Sequence, residues 1–327
     1  MLSKDMLSYF NGKKVLVTGG TGLIGRQVVD IMCDAQADVT SVSLDNLSLN
    51  PKANYIYEDL TDFSKCKEMV DDKDCVFHLA GVKGSANVSN THLSSHFIPT
   101  LMINTNILES CFRKNVDKVV YTSSIGAYHD TDVFVESEYD IATNPMDFAG
   151  WAKRVAELQI YSYDKQYGAK NFAVVRPANV YGPGDNFDPD NAMVIPSLMS
   201  RIYNGENPLK VWGDGSAIRD FAYSKDVAEG IIQALYYGTD GKFVNLGSGE
   251  GVSIKDLVET LCGMLEIDYE FDTSKSSGFP KRVMDISLAK ERIHYNPSTF
   301  LADGLKETWN WFLENSEEYK NRKNYFI

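Results

Sequence analysis

The stretch VTGGTGLIG at residues 17–25 decides how the chain folds. It follows the apolar run KKVLV and leads into a segment with helical periodicity. Three of its positions require a residue without Cβ: Gly19 for a tight turn, Gly22 for close approach of the backbone to a pyrophosphate, and Gly25 for packing of helix on strand. Because amide groups at a helix N-terminus face the phosphates, the stretch predicts a dinucleotide site. The predicted cofactor residues of this loop are Gly19, Gly22, Leu23, Ile24 and Gly25.

Short β-rich runs alternate with longer helical segments through the first half of the chain. Helices are predicted from about residue 23, near 62–70, within 92–115 and over about 149–167. Strands joined by crossover helices form a parallel sheet with helices on both faces. Beyond Pro177, Gly and Pro cluster and the elements become shorter. We expect an α/β fold, with a Rossmann-type doubly wound parallel sheet over 1–177 and a smaller mixed α/β substrate-binding lobe over 178–327 that partly returns to the main sheet.

Composition narrows the classes of function. The chain has 327 residues, with 32 basic and 45 acidic side chains, and the net charge of −13 disfavours binding to nucleic acid or to an anionic membrane. The five cysteines form no C-x-x-C pair and the histidines show no ligand spacing, so we expect reduced thiols and no metal. No apolar run has the length of a signal peptide or a membrane span, which predicts a cytoplasmic protein.

Acidic and small residues at later strand ends extend the predicted cofactor site. Asp45 ends the second strand, where a carboxylate accepts hydrogen bonds from the adenosine ribose and repels a 2′-phosphate, which favours NAD over NADP. The alternative is that Asp45 only caps a turn. Asp59 is placed to meet the adenine amino group, and Ala80 and Gly81 would let the backbone lie against the dinucleotide. The other predicted cofactor residues are Asn46, Leu60, Lys83, Lys153, Pro177 and Asn179.

The chain is similar to the extended short-chain dehydrogenase/reductase family in the motifs TGGTGLIG, LDNL, HLAG, YTSSIGAY, RPANVYGP and IRDF. Lys153 lies between YTSSIGAY and RPANVYGP. That family comprises NAD(P)-dependent nucleotide-sugar epimerases, dehydratases and reductases. The resemblance implies a Ser, a Tyr and a Lys that act together, the Tyr and Lys in a Y-x-x-x-K pattern. Ser124 matches the serine and Lys153 the lysine, but the tyrosine position is Ala149. We predict Ser124, Ala149 and Lys153 as the catalytic positions.

Two explanations of Ala149 compete. One is a deliberate substitution that disables turnover and traps a complex. The other is a natural departure in which another group handles the proton. The candidates for that group are Ser124, Lys153, a water, Tyr128, His129 and Tyr139.

The second half of the chain is most similar to the GDP-fucose synthase branch of that family and to relatives that modify GDP-manno-heptose. In that branch a histidine precedes VIP and a cysteine follows the paired serines; here Met193 precedes VIP and no cysteine follows the serines. A thioether cannot donate a proton, so epimerisation is disfavoured. With NAD favoured, we predict oxidation at C4 of a GDP-linked manno-type sugar for surface polysaccharide synthesis. The alternatives are a GDP-4-keto-6-deoxysugar reductase/epimerase and a catalytically silent nucleotide-binding protein.

Substrate contacts are predicted mainly in the second half. Arg201 and Arg219 are candidates for the substrate diphosphate, since a guanidinium pairs with phosphate oxygens. Asn179 could meet both cofactor and sugar nucleotide, the alternative being a turn residue. Trp212 could offer a stacking or sugar-facing surface, the alternative being core packing. The apolar content of the helices near 92–115 and 149–167 predicts a homodimer, because relatives pair these helices. The full predicted substrate set is Ser124, Asn179, Met193, Val194, Arg201, Trp212, Arg219 and Arg282.

Overall fold

The computed structural model describes residues 2–82, 84, 91–188 and 190–320, with side chains described to residue 316. Its strands are β1 (Lys14–Thr18), β2 (Asp38–Ser43), β3 (Asn54–Tyr57), β4 (Cys75–His78), β5 (Lys118–Thr122), β6 (Val133–Phe134), β7 (Phe172–Pro177), β8 (Asn179–Tyr181), β9 (Leu209–Trp212), β10 (Ile218–Arg219), β11 (Phe221–Tyr223), β12 (Phe243–Leu246), β13 (Val252–Ser253), β14 (Tyr269–Asp272) and β15 (Lys281–Met284). Its α-helices are α1 (Lys4–Phe10), α2 (Leu23–Asp34), α3 (Phe63–Val70), α4 (Leu93–Lys114), α5 (Phe148–Tyr167), α6 (Val194–Tyr203), α7 (Ser224–Tyr237), α8 (Ile254–Leu265), α9 (Ser287–Ile293) and α10 (Leu301–Lys320).

A seven-stranded parallel sheet forms the centre, in the order β12, β7, β5, β4, β1, β2, β3. The α/β doubly wound fold predicted from the sequence is confirmed. The chain order reverses between β1 and β4, and in open parallel sheets ligands bind at the carboxyl ends of the strands beside such a reversal. The Gly-rich loop follows β1 and therefore lies at this edge.

Two apolar cores cover the faces of the sheet. The first core packs α1, α2, α7 and α9 on one face, with buried side chains such as Val28 and Ile231. The second packs α3, α4 and α5 on the other face, with Ile107 and Ile160 at its centre. Helix α5 therefore rests on the sheet along its length, which fixes where its first turn projects.

The described residues beyond β7 form smaller sheets, one of which β6 joins from the first half, and also complete the main sheet. Strands β6, β10, β13 and β15 make a four-stranded sheet in which β10 and β13 are antiparallel, and α6, α8 and α10 enclose a third core. Strand β12 adds the outermost strand of the main sheet beside β7. None of the helices in the described part of the chain is both long and apolar enough to cross a membrane.

Candidate functional site

The Gly-rich loop has no room for a Cβ atom at Gly19 and Gly25, two of the three positions predicted to require glycine. Gly19 has a φ of +72°, and a Cβ there would lie 3.0 Å from the Cα of Ala80. A Cβ on Gly25 would lie 2.1 Å from the Gly19 carbonyl oxygen. Gly22 is the N-cap of α2 and supplies no side-chain cap. The amide groups of the first helical turn are therefore available to an anion such as a pyrophosphate.

Gly25→Ala is expected to weaken NAD binding about tenfold or more, because relieving such an overlap costs about 1–3 kcal/mol and displaces the loop. Titration calorimetry with NAD measures the change. Gly263→Ala is the matched control, since a Cβ at Gly263 in α8 would meet nothing within 4 Å. Equal NAD affinity in both variants would contradict this account of the loop.

Asp45 lies beside the Gly-rich loop. The Thr21 hydroxyl donates a hydrogen bond of 2.9 Å to the Asp45 carboxylate, and the Thr21 amide donates to the Ser43 hydroxyl at 3.4 Å. Asp45 is half-buried, while the neighbouring Asn46 is exposed. A carboxylate held at the carboxyl end of β2 fits the ribose of a dinucleotide.

The remaining predicted cofactor residues differ in their surroundings. Asp59 is exposed and its carboxylate accepts from the Thr61 amide at 2.9 Å, whereas Leu60 is buried. Pro177 is buried at the end of β7. Lys83 lies outside the described residues. These cofactor assignments stay predictions, with the fit strongest around Gly19, Gly25 and Asp45.

The first turn of α5 is held tightly against the loop that follows β5. Asp147 caps α5 by accepting from the Gly150 amide at 2.7 Å. A Cβ on Gly150 would lie 2.0 Å from the Gly126 carbonyl oxygen, so helix and loop touch through their backbones. The Ser124 hydroxyl accepts from the Gly126 amide at 3.1 Å, which leaves its own hydrogen available to a substrate oxygen. Ala149 is partly buried in this turn.

Lys153 follows Ala149 by one turn and reaches the same edge of the sheet. Its Nζ donates to the Thr122 carbonyl oxygen at 2.9 Å and would lie 3.5 Å from a Cβ on Gly81. Burial lowers the pKa of Lys153 to about 8, against an opposing effect of the Glu157 carboxylate. The ammonium therefore sits between the ends of β4 and β5.

A buried polar network that the sequence did not reveal lies beneath these groups. The Thr18 hydroxyl donates to His78 Nδ1 at 2.7 Å, and His78 Nε2 donates to the Asn104 side-chain oxygen at 3.0 Å. The Asn104 amide then donates to the Tyr121 hydroxyl, which donates to the Lys153 carbonyl oxygen at 3.3 Å. Burial lowers the pKa of His78 to about 3, so its imidazole is neutral. The network joins the end of β1 to the backbone of α5 without a net charge.

Two of the proposed substitute proton donors lie elsewhere. The Tyr128 ring is fully buried and its hydroxyl donates to the Asn245 side-chain oxygen at 2.9 Å. The rings of Tyr128 and Tyr139 pack 4.2 and 4.4 Å from the Arg176 guanidinium carbon, in the core on the α2 face. Burial raises the pKa of both phenols. These contacts correct the suggestion that either phenol replaces the missing tyrosine, since both serve packing around Arg176. His129 is partly buried, with its Nδ1 3.2 Å from the Thr143 hydroxyl.

Buried hydroxyl groups at the end of β5 are a further feature that sequence reasoning missed. The Thr122 and Ser123 hydroxyls are buried and have no hydrogen-bond partner among the residues that the structure describes. Buried polar groups are usually satisfied, so these hydroxyls fit a polar ligand held at the strand end. Their signal was present in the sequence, as polar residues directly before Ser124.

The predicted substrate residues fall into two groups. Asn179 donates to the Asp220 carbonyl oxygen at 3.0 Å, and Arg219 is partly buried, with no carboxylate paired to it in the described ranges. Burial and the neighbouring Arg282 lower the pKa of Arg219. Arg282 itself pairs with the Asp130 carboxylate.

Of the other predicted substrate residues, Arg201 forms an ion pair and Trp212 is exposed. Arg201 donates to both carboxylate oxygens of Glu206, the Nε contact being 2.7 Å, and this ion pair disfavours its assignment to a phosphate. Trp212 is 69% exposed and is therefore not a core residue. Met193 is the N-cap of α6, which Val194 begins. The roles of these residues stay predictions.

Comparison with known proteins connects this arrangement to a family. The model of the NAD dependent epimerase/dehydratase family matches residues 15–247, more than half of the chain. The chain is 27% identical over 319 residues to a GDP-L-fucose synthase of Sinorhizobium fredii, covering 93% of this chain and 97% of that protein. It is 30% identical over 315 residues to a putative UDP-glucose 4-epimerase of Methanocaldococcus jannaschii, covering 92% and 99%.

A solved structure agrees with both the fold and the matched length. The UDP-glucose 4-epimerase of Thermotoga maritima, solved with UDP-glucose, superposes with a TM-score of 0.81 at 28% identity, over 93% of this chain and 99% of that one. The resemblance inferred from the motifs is confirmed, and with it NAD as the cofactor and a nucleotide-sugar enzyme as the general class. The chain belongs to the NAD dependent epimerase/dehydratase family, within the extended short-chain dehydrogenases/reductases.

Proposed function

We propose that this chain is a cytoplasmic NAD-dependent 4-dehydrogenase that acts on a GDP-linked manno-type hexose or heptose and supplies precursors of surface polysaccharide or capsule. The observation that carries the proposal is the Thr21 to Asp45 hydrogen bond, which holds a carboxylate where it would repel the 2′-phosphate of NADP. NAD, when bound, accepts a hydride from the sugar carbon. An enzyme that uses NAD in this way is suited to oxidise a sugar hydroxyl.

Residues of the chain orient the sugar, hold the cofactor and bind the substrate diphosphate. Ser124 orients the sugar oxygen by donating its hydroxyl hydrogen, and Lys153 holds the nicotinamide ribose. The partly buried Arg219 supplies positive charge for the substrate diphosphate in an acidic protein. Met193 offers no proton at the position before α6, which supports dehydrogenation without epimerisation.

Two observations favour other candidates. Some curated relatives are named GDP-L-fucose synthases, which supports a GDP-4-ketosugar reductase or epimerase as the second candidate. Ala149 supports a nucleotide-binding protein without turnover, because the hydroxyl of the Y-x-x-x-K pattern is absent.

Single-turnover absorbance assays separate the three. The enzyme is mixed with NAD or NADP and with GDP-mannose, GDP-manno-heptose or UDP-glucose, and NADH formation is followed. The proposal expects NADH with a GDP-sugar and NAD. Consumption of NADPH with a GDP-4-keto-6-deoxysugar would favour the reductase. Tight NAD binding without hydride transfer, in this chain and in Ala149→Tyr, would overturn the enzymatic reading.

A homodimer is part of the same proposal. The outward faces of α4 and α5 expose Ile98, Met102, Leu158 and Tyr161, between 36% and 50% each, although both helices are otherwise covered by the sheet. A twofold axis beside these helices would bury the same patch on both copies.

Leu158→Glu is expected to convert the dimer to a monomer, because it places a charge in an apolar contact. Light scattering coupled to gel filtration measures the mass. Leu313→Glu on α10 is the control, since Leu313 is also exposed, at 45%, but lies far along the chain from this patch. A monomeric parent protein, or a dimer unaffected by Leu158→Glu, would contradict the proposed interface.

A further inference from the structure

We propose that in this chain Lys153 itself takes the proton of the sugar hydroxyl, in addition to its place beside the nicotinamide ribose. This inference rests on the proposed sugar oxidation. Position 149, one helical turn before Lys153, is an alanine, so the tyrosine oxygen that would accept the proton is missing. The Lys153 Nζ reaches the space between the ends of β4 and β5, where it lies beside the Thr122 carbonyl oxygen and Gly81.

The other candidate groups near Ala149 pack in the core, cap a helix or are not basic enough to take the proton. Tyr128 and Tyr139 pack around Arg176, as described above. Asp147 caps α5 through the Gly150 amide, and so holds the helix in place. Ser124 can donate a hydrogen bond but, as an ordinary alcohol, does not hold an extra proton near neutral pH. The His129 Nδ1 lies 3.2 Å from the Thr143 hydroxyl, whereas the Lys153 Nζ is the titratable group of this set that reaches the ends of β4 and β5.

The charges around Lys153 leave its amine able to lose a proton. From β4 it faces the neutral His78, from β5 the Tyr121 ring at 5.4 Å, and from α4 His96, whose Nε2 donates to the Val82 carbonyl oxygen. On α5, Asp147 caps the helix and Glu157 pairs with Arg176.

No carboxylate within the described ranges forms an ion pair with the Lys153 ammonium, which agrees with the lowering of its pKa to about 8 by burial. Near neutral pH a useful fraction of the amine is therefore neutral and can act as a base.

The proton step balances without a further reactant. The sugar O–H bond breaks and its electron pair becomes the second C–O bond of the carbonyl, while the C–H bond of the same carbon breaks and its pair leaves with the hydride. The released proton forms a new N–H bond at the neutral Nζ. NAD supplies the oxidising capacity that the family chemistry already requires. Lys153 returns the proton to water between turnovers, and in the reverse direction the ammonium donates it.

The first test reads the amine directly, without turnover. Trace acetylation of the NAD complex across a pH series, followed by peptide mass spectrometry, gives the titration midpoint of Lys153, with the exposed Lys225 as the reference amine. We expect a midpoint near the pKa of about 8. In the oxidation direction, the single-turnover rate should rise with pH through the same midpoint, because only the neutral amine accepts a proton.

The second test uses Lys153→Arg, which keeps a positive charge and hydrogen-bond donors but does not lose its proton at accessible pH. Measured at saturating NAD, so that a weaker ribose contact does not enter the result, it should lose about 10²-fold or more in hydride transfer and show no pH midpoint. A Lys153→Arg variant that keeps most of the rate, or an acetylation midpoint equal to that of Lys225, would overturn the role of Lys153 while leaving the dehydrogenase intact. Absence of hydride transfer in both the parent chain and Ala149→Tyr would instead defeat the proposed function, and this inference with it.

Discussion

Ala149→Tyr is expected to raise the single-turnover rate of hydride transfer by at least about tenfold, because Lys153 already supplies part of the about 10²–10⁴-fold that general acid–base catalysis usually contributes. Position 149 lies one turn before Lys153, so the two side chains share a face of α5. Ala149 is only partly buried, so a larger side chain at this position can extend toward solvent. A nearby ammonium would lower the pKa of the new phenol and make it a better base near neutral pH. Rapid-mixing absorbance at saturating NAD and sugar nucleotide measures the rate.

Ala149→Phe is the matched control for that variant. It adds the same ring without the hydroxyl, so it should leave the rate at or below that of the parent chain. A similar gain in both variants would show that the ring acts by packing. No gain in Ala149→Tyr, with NAD and sugar nucleotide still bound, would mean that position 149 does not face the reacting oxygen.

The main sheet could be predicted because its signals are local. The Gly-rich loop fixes a strand before it and a helix after it, and the helices predicted near 62–70, 92–115 and 149–167 lie within about two residues of their observed ends. The 20-residue helix α10 was not predicted. Helix α1 was missed, since it has only seven residues and buries just Met6 and Phe10, too few to show a period. The small strands β8, β10 and β13 also escaped, because each has two or three residues and pairs with distant segments.

In the candidate site, too, some residues could be predicted from the sequence and others could not. Ser124 and Lys153 were named from the family motifs that they match, and their catalytic roles stay predictions. The direction of Tyr128 could not be predicted, because it follows an irregular turn where spacing does not determine which way a side chain points. The His78 and Asn104 contact was hidden for another reason: it joins residues 26 positions apart, and its meaning depends on how α4 packs on β4.

Glu157→Gln is expected to lower the free energy of unfolding by about 3–5 kcal/mol, the range found when one partner of a buried ion pair is removed. Glu157 on α5 accepts from Arg176 on β7 through two contacts of 2.9 and 2.5 Å. The Arg176 side chain is 0% exposed and that of Glu157 is 10% exposed, so water cannot replace the lost charge. The aromatic rings around Arg176, with Phe243 at 3.6 Å, stabilise its charge only in part. Urea denaturation followed by circular dichroism measures the loss.

Glu259→Gln on α8 makes the same chemical change at an exposed ion pair with Lys255, and should alter stability by less than about 1 kcal/mol. The double variant Glu157→Gln with Arg176→Met removes the stranded charge as well, and should recover part of the loss. Equal effects of Glu157→Gln and Glu259→Gln would show that the buried pair is not needed to hold α5 on the sheet.

Glu157→Gln also tests the electrostatics around Lys153 at the ends of β4 and β5. The Glu157 carboxylate raises the pKa of Lys153 against the larger effect of burial. Its removal should therefore move the acetylation midpoint of Lys153 below the parent value of about 8, so that the neutral amine persists to lower pH. If the midpoint stays constant while stability falls, Glu157 serves only to anchor α5, and the titration of Lys153 is set by burial between the ends of β4 and β5.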